Sequence, residues 1–311
     1  MLSILRRELK GYFDSLGGYG ILAAFVVVMM LLSLLLDPDQ QGDWFKRGEL
    51  SMRSFFRVFP WVAAVVMPAV SMRLWSEDRR QATFELLMTL PLSTWRVALG
   101  KYLAALVFLV AMLASTVAFP LLLAAWGTPD WGPVLGGYLA CFLLGAAFAA
   151  IGLFVSGLTE NQALAFFGGM LMCIGIVSVG KLLPEFGDLA RWNPNAALVH
   201  LVSLPIVALA VLAAVAGRDA LVGGVAGVLG FVANTAVYLL DAGAEVTGKD
   251  VRATTPAAEG VIAALGQASV LEHFREIERG VVNTNGLVFF ASLVVLFVFL
   301  NVWSLESRRH C

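Results

Sequence analysis

Few side chains in this 311-residue sequence have the types and spacing that catalysis needs. The histidines, His200, His273 and His310, are far apart along the chain, which gives no support for a metal site. Neither a His-Glu-x-x-His helix nor a Gly-x-Ser-x-Gly elbow occurs. The three cysteines are expected to be small packing residues. The sequence therefore predicts no catalytic residue, no metal site and no enzyme activity.

One segment has the beginning of a phosphate-binding loop. Gly175, Gly180 and Lys181 have the spacing of a Gly-xxxx-Gly-Lys motif. The next residue is Leu182, where Ser or Thr would hold magnesium, and no strand precedes the segment. We therefore expect no nucleotide site or bound cofactor in this chain.

The elements that carry these residues are apolar helices. Hydrophobic residues make up 59% of the chain and charged residues 14%, whereas soluble domains have roughly half and a quarter. Runs of about 17–22 apolar residues are long enough to cross a bilayer. The fold class predicted is an all-α polytopic membrane protein with 6–8 transmembrane helices. The preferred eight spans are 17–36, 59–72, 102–126, 134–155, 163–182, 196–216, 221–240 and 287–303.

The number of spans has an alternative, and the charges of the chain do not set its orientation in the membrane. Six spans remain an alternative because only residues 217–220 separate the sixth apolar run from the seventh. Either number is even, so both termini share one side, although the distribution of Lys and Arg does not say which. The net charge of −1 indicates no nucleic-acid partner. Charged residues are scarce at membrane depth, which gives an ion-coupled pump little support.

An amphipathic segment precedes the first span, at residues 3–16. Residues 3–16 predict an amphipathic interfacial helix, although a first turn of span one is an alternative. Its apolar face carries Leu5, Leu9, Tyr12, Phe13 and Leu16, and its polar face carries Arg6, Arg7, Lys10 and Asp14. The third span is expected to enter the bilayer after Lys101.

The most distinctive polar segment is 73–96, between the second and third spans. Ser76 is expected to cap a helix whose first turn carries Glu77 and Asp78, and Pro91 to end it. Such a segment indicates a docking element for another protein, or else a solvated connector.

A surface helix with Leu271, Phe274, Ile277 and Val281 towards one side is expected within 257–281. Close helix packing is predicted at Gly132, Gly136, Gly145, Gly223 and Gly227.

Several runs of the sequence resemble the permease subunits of type-2 ABC transporters, and specifically the gliding-motility (GldF-like) branch. The matching runs are 72–80, 83–91, 100–101, 129–133, 152–156, 158–162, 269–280 and 305–309. The sequence departs from the family at Ala82, where glycine is usual. It also departs at residues 184–268, which look like an insertion. We therefore interpret 184–286 as an inserted apolar pair followed by an extracytoplasmic segment.

The resemblance implies that residues 1–311 form a single transmembrane permease domain of an exporter in the bacterial inner membrane, with both termini cytoplasmic. It implies pairing with a second permease copy or homologue and with two ABC ATPase subunits, which hold ATP and magnesium. An auxiliary membrane subunit with a periplasmic domain is also implied, and lipids surround the spans. The alternative is a non-transporting module that transmits force to an extracytoplasmic partner.

The resemblance also assigns contacts with the ATPase. Segment 77–91 becomes a cytoplasmic coupling helix, and 158–162 a second cytoplasmic contact. The residues expected to contact the ATPase are Glu77, Asp78, Arg79, Arg80, Thr83, Glu85, Thr159 and Glu160.

Overall fold

Apolar runs with few interior charges form the long helices of this chain, because in lipid the backbone must satisfy its own hydrogen bonds. The computed structural model describes residues 2–35, 52–81, 93–126, 129–192, 269–281 and 283–307. Every regular element within those ranges is a helix. In chain order they are α1 (Leu2–Phe13), α2 (Leu16–Leu35), α3 (Arg53–Ser71), α4 (Arg73–Arg80), α5 (Thr94–Thr116), α6 (Ala118–Trp126), α7 (Trp131–Leu158), α8 (Gln162–Trp192), α9 (Val270–Glu278) and α10 (Thr284–Ser307).

Five segments of the described chain are long and apolar enough to cross a membrane. They are Leu16–Ser33, Arg53–Arg80, Thr94–Ala125, Trp131–Leu158 and Thr284–Ser307, and Gln162–Ser178 is a shorter apolar helix. The prediction of an all-α polytopic membrane protein is confirmed. The predicted spans 196–216 and 221–240 lie outside the described residues.

The second span begins earlier than the predicted 59–72. Its helix starts at Arg53 and therefore contains Arg57, the charge at which the prediction stopped. Hydropathy places a span boundary at a charge, whereas a helix continues as long as its backbone is hydrogen-bonded.

The chain divides into two compact units, Met1–Ile174 with His273–Cys311, and Gly175–Glu272. The first unit holds all five long spans. The interpretation of residues 1–311 as one permease domain stays a prediction.

Within the first unit α7 is the central helix, and it packs against α3, α5 and α10. Glycines let these helices approach closely; a Cβ at Gly137 would lie 2.2 Å from the Phe56 ring. The outward surface is apolar, with Val27 and Leu31 on α2 and Val295 and Phe299 on α10 exposed. Lipid chains are the environment that such a surface requires.

Helix α9 occupies part of the region 257–281, where a helix was expected. Phe274 is buried and stacks on Phe59, with ring centres 6.4 Å apart, and Ile277 is also buried. Val281 was expected on the same apolar side, but it is 63% exposed. The helix ends at Glu278, and Gly280, with φ of 83°, then turns the chain away.

The Glu278 carboxyl lies half-buried next to four arginines. Burial raises its pKa, and the positive charges of Arg57, Arg53, Arg275 and Arg279 lower it, with a net pKa above the usual 4.5. The folded protein therefore holds this proton more tightly than the unfolded chain does. The stability from this group is greatest below pH 4.5 and is lost as the pH rises through the folded-state pKa.

We expect Glu278→Gln to flatten the pH dependence of stability. In detergent, the unfolding temperature of the wild type should fall more steeply between pH 4.5 and 7 than that of the variant, because the variant cannot lose this proton. Glu306→Gln, at an exposed site on α10, is the matched control and should retain the wild-type slope. Equal slopes for Glu278→Gln and wild type would contradict the prediction.

Candidate functional site

A buried lysine joins three helices at one end of the molecule. Lys101 on α5 is 1% exposed, and its Nζ lies 2.8 Å from Glu8 Oε1 on α1 and 2.7 Å from Asp78 Oδ2 on α4. The same ammonium group donates a hydrogen bond to the Leu74 carbonyl oxygen. A buried ammonium group is tolerated only where it is paired and hydrogen-bonded, and here it has two carboxylate partners and one carbonyl acceptor.

Arg7 extends this arrangement to the surface. Its Nη2 lies 2.8 Å from Glu8 Oε1 and 3.3 Å from Asp78 Oδ2. Burial lowers the pKa of Arg7, but the hydrogen bonds and charges of Glu8 and Asp78 together raise it above its usual value. Arg7, Glu8, Asp78 and Lys101 form two cations and two anions, and we refer to these four residues as the Lys101 cluster.

A second set of contacts fixes α1 against its neighbours. The Tyr12 hydroxyl donates to the Val70 carbonyl at 2.7 Å, and the Tyr12 ring stacks on Phe108. The Arg73 guanidinium lies 4.1 Å from the centre of the Tyr12 ring and donates to the Gly11 carbonyl at 3.1 Å. The predicted N-terminal helix is thus present, and on its apolar side Tyr12 is buried and Leu5, Leu9 and Phe13 are partly buried.

Leu16 does not belong to that apolar side. It was expected there, but it is 93% exposed. The reason is that α1 ends at Phe13 and α2 begins at Leu16, so the helical spacing on which the expectation depended is interrupted.

The charged residues of α4 point in different directions. Asp78 belongs to the Lys101 cluster, whereas Arg80 is exposed. Glu77 and Arg79 are partly exposed, and Glu77 Oε1 accepts a hydrogen bond from Gln81 at 3.1 Å. Two other residues expected to contact an ATPase, Thr83 and Glu85, lie outside the described residues.

Ser76 does not cap α4, contrary to expectation. The helix begins at Arg73 and follows α3 almost without a break, so Ser76 lies in its interior. Its Oγ donates to the Met72 carbonyl. A Ser followed by two acidic residues is a local capping pattern, and here the helix had already begun.

Thr159 and Glu160 lie in the short turn between α7 and α8. Thr159 is buried, and its Oγ1 accepts from the Asn161 amide at 3.2 Å. Asn161 Oδ1 accepts from the Ala163 amide at 2.9 Å, which caps the start of α8. Glu160 is exposed. This turn follows directly on the helix end that contacts α4.

The predicted packing glycines lie in different surroundings. A Cβ at Gly136 would lie 2.5 Å from the Ile277 carbonyl oxygen, and one at Gly145 would lie 2.8 Å from the Leu109 side chain. At Gly132 it would lie 3.4 Å from Asp130, an ordinary distance. Gly223 and Gly227 lie outside the described residues.

Three residues of this site were missed from the sequence. Lys101 was expected only to mark the entry of the third span, but it is the centre of the cluster. Glu8 was not singled out, although it is the one acidic residue among the bases of α1 before Gly11. Ser156 on α7, which contacts the start of α4, was noted only within a matching run.

Reactive chemistry has little support in the described part of the chain. Those residues contain no group of three His, Cys, Asp or Glu side chains that could hold a metal ion. Residues 175–181, with the Gly-xxxx-Gly-Lys spacing, lie within α8, so their backbone is helical rather than a loop. The arrangement is suited to holding α1, α4, α5 and α7 together.

Known proteins are similar to this chain over a segment that includes α4 and α5. Residues 38–185 match the family described as ABC-2 family transporter protein. This segment resembles transporter membrane subunits. The probable multidrug ABC transporter permease YbhR of Escherichia coli (strain K12) is 22% identical over 159 residues, which cover 51% of this chain and 40% of that protein. The protein of the same name from Escherichia coli O157:H7 gives the same values. No solved structure shows a significant match.

The match covers part of the site, because Arg7 and Glu8 of the Lys101 cluster lie before residue 38. Residues 38–185 include α3 to α7 and most of α8, and therefore Asp78, Lys101 and Ser156. The alignment spans only about two fifths of the length of the curated relatives. The chain is a multi-pass membrane protein with similarity to ABC permeases over about half its length.

Proposed function

We propose that this chain is the membrane permease subunit of an ABC exporter, driven by ATP hydrolysis on partner subunits. The observation that carries the proposal is the Lys101 cluster, which ties the charged helix α4 to α1 and α5. Breaking a buried ion pair costs about 3–5 kcal/mol, so force applied to α4 moves these helices together. The family match supports the type of partner that applies this force.

In this proposal the exposed side of α4 binds the ATPase. Arg80, with Glu77 and Arg79, provides the charged contacts, whereas Asp78 acts inside the protein by binding Lys101. Thr83, Glu85 and Glu160 complete the proposed surface, and the buried Thr159, which was also expected to contact the ATPase, supports the turn that carries Glu160. ATP and magnesium bind to two ATPase copies, two permease copies enclose the pathway, and both termini are cytoplasmic in a bacterial inner membrane. The gliding-motility branch stays a prediction.

The first test is charge reversal on the exposed side of α4. We expect Arg80→Glu to weaken binding of the ABC ATPase that copurifies with the wild-type chain by about tenfold, because reversing an exposed charge disturbs the charge complementarity of an interface. Binding is measured on reconstituted permease by titration with the ATPase, and ATPase stimulation is measured in parallel. Lys10→Glu, exposed on α1, is the matched control.

Two outcomes would overturn the proposal. One is ATP hydrolysis by the purified chain without any partner, and the other is unchanged ATPase binding in Arg80→Glu together with unchanged stimulation. Transport into vesicles distinguishes an exporter from a force-transmitting module, and mass spectrometry of copurified molecules identifies the substrate.

A further inference from the structure

The junction between α3 and α4 contains a side chain from another helix. In an uninterrupted α-helix the amide of residue 75 donates to the carbonyl of residue 71, but α4 begins anew at Arg73 after Met72. Here the amides of Trp75 and Ser76 donate to Ser156 Oγ of α7, at 3.1 and 3.2 Å. Ser156 Oγ in turn donates to the Met72 carbonyl at 2.7 Å. A single hydroxyl thus bridges the two sides of the junction.

The surrounding residues permit this bridge. Gly152 lies one turn before Ser156, and a Cβ there would lie 1.8 Å from Ser71 Oγ and 3.5 Å from Pro68 Cα. Only glycine therefore lets α7 approach the end of α3 this closely. Pro68 also lacks an amide hydrogen, which weakens the helix one turn before the junction. A helix with an inserted side chain next to a proline is a point where bending is favoured.

Ser156 also lies next to the second proposed contact with the ATPase. It is fully buried in the last turn of α7, and the turn with Thr159 and Glu160 follows. The hydroxyl therefore connects the base of α4 with the base of that turn. The Ser156 hydroxyl thus links α4 to α7, separately from the contacts of α4 with α1 and α5 through Lys101.

We propose that Ser156 is a positioning residue that makes α4 and the 159–161 turn move as one body. The junction bends between α3 and α4, and the Ser156 hydroxyl keeps α4 at a fixed distance from α7 as it does so. The role in transport depends on the function proposed above, whereas the fixed distance can be measured on the chain alone.

The experiment uses spin labels at Gln81→Cys and Ala163→Cys, both at exposed sites, in the full chain reconstituted in lipid with the native Cys141, Cys173 and Cys311 replaced by Ser. With Ser156 present, we expect one narrow distance distribution between the labels. Ser156→Ala should broaden it or add a second distance, because α4 loses its bridge to α7. Ser156→Thr, which retains the hydroxyl, should restore the narrow distribution. Ser71→Ala is the control, because the buried Ser71 hydroxyl bonds only to carbonyls of its own helix.

A second variant tests whether the broadening comes from loss of the hydroxyl or from misfolding. Ser156→Val has nearly the shape of Ser156→Thr but no hydroxyl, and it should broaden the distribution in the same direction as Ser156→Ala. A distribution as narrow as that of the wild type in both Ser156→Ala and Ser156→Val would overturn the proposal. With the ATPase present, transport per ATP hydrolysed should fall about tenfold in Ser156→Ala and remain unchanged in Ser71→Ala. If the distance distribution broadens as expected but no ATPase binds the wild-type chain, the result supports the positioning role of Ser156 and contradicts the exporter function.

Discussion

Replacing Lys101 by Met is expected to lower the unfolding temperature of the purified protein by roughly 6–10 °C. The variant leaves the carboxylates of Glu8 and Asp78 next to each other without the buried ammonium between them. Removing one partner from a buried ion pair costs about 3–5 kcal/mol, and about 1 kcal/mol corresponds to a shift of 2–4 °C in a chain of 150–250 residues, with the lower value for longer chains. Intrinsic fluorescence during heating in detergent measures the shift.

A compensating variant tests whether the remaining negative charge causes the loss of stability in Lys101→Met. Adding Asp78→Asn to Lys101→Met removes the excess negative charge while Arg7 stays paired with Glu8, so part of the stability should return. Lys10→Met, on the exposed side of α1, is the control and should change the unfolding temperature little. Equal unfolding temperatures for Lys101→Met and Lys10→Met would show that the cluster does not hold the helices together.

Gly136→Ala is expected to separate α7 from the chain around Ile277 and Gly280. The new Cβ would lie 2.5 Å from the Ile277 carbonyl oxygen and 2.8 Å from Gly280 Cα. Both atoms are backbone, so no side-chain rotation relieves the contact, and overpacking of this kind costs about 1–3 kcal/mol or more. Thermal unfolding and limited proteolysis between α9 and α10 measure the effect.

The control for Gly136→Ala is Gly20→Ala, which we do not expect to lower the stability of the protein. A Cβ at Gly20 on α2 meets no atom within 4 Å. Alanine is favoured over glycine in a helix by about 1 kcal/mol, so Gly20→Ala should be neutral or stabilising. If Gly136→Ala is as stable as Gly20→Ala, the close approach of α7 to residues 277–280 is wrong.

Local patterns were sufficient to predict the helices, because a run of apolar residues determines its own secondary structure in lipid. The same patterns predicted α1 and a charged helix after the second span. They failed where a boundary depends on neighbouring elements: Ser76 was expected to start a helix that had begun at Arg73, and Leu16 was assigned to the helix before its own.

The site itself depended on contacts between distant parts of the chain. Glu8 and Lys101 are separated by 93 positions, and Met72 and Ser156 by 84. No periodicity within one helix indicates such a pair, because the partner is selected when the helices pack. Lys101 was therefore expected only to mark a span boundary, and Ser156 had no role of its own.

The low exposure of Lys101 has a practical consequence for biochemistry. Mobile ions screen charges at the surface over about 8–10 Å, but they do so far less for a pair that water cannot reach. Concentrated salt would thus detach a partner held by Arg80 and its neighbours while α4 stays fixed to α1 and α5. The stripped protein would retain a preformed surface, so that dilution into low ionic strength restores the complex without refolding.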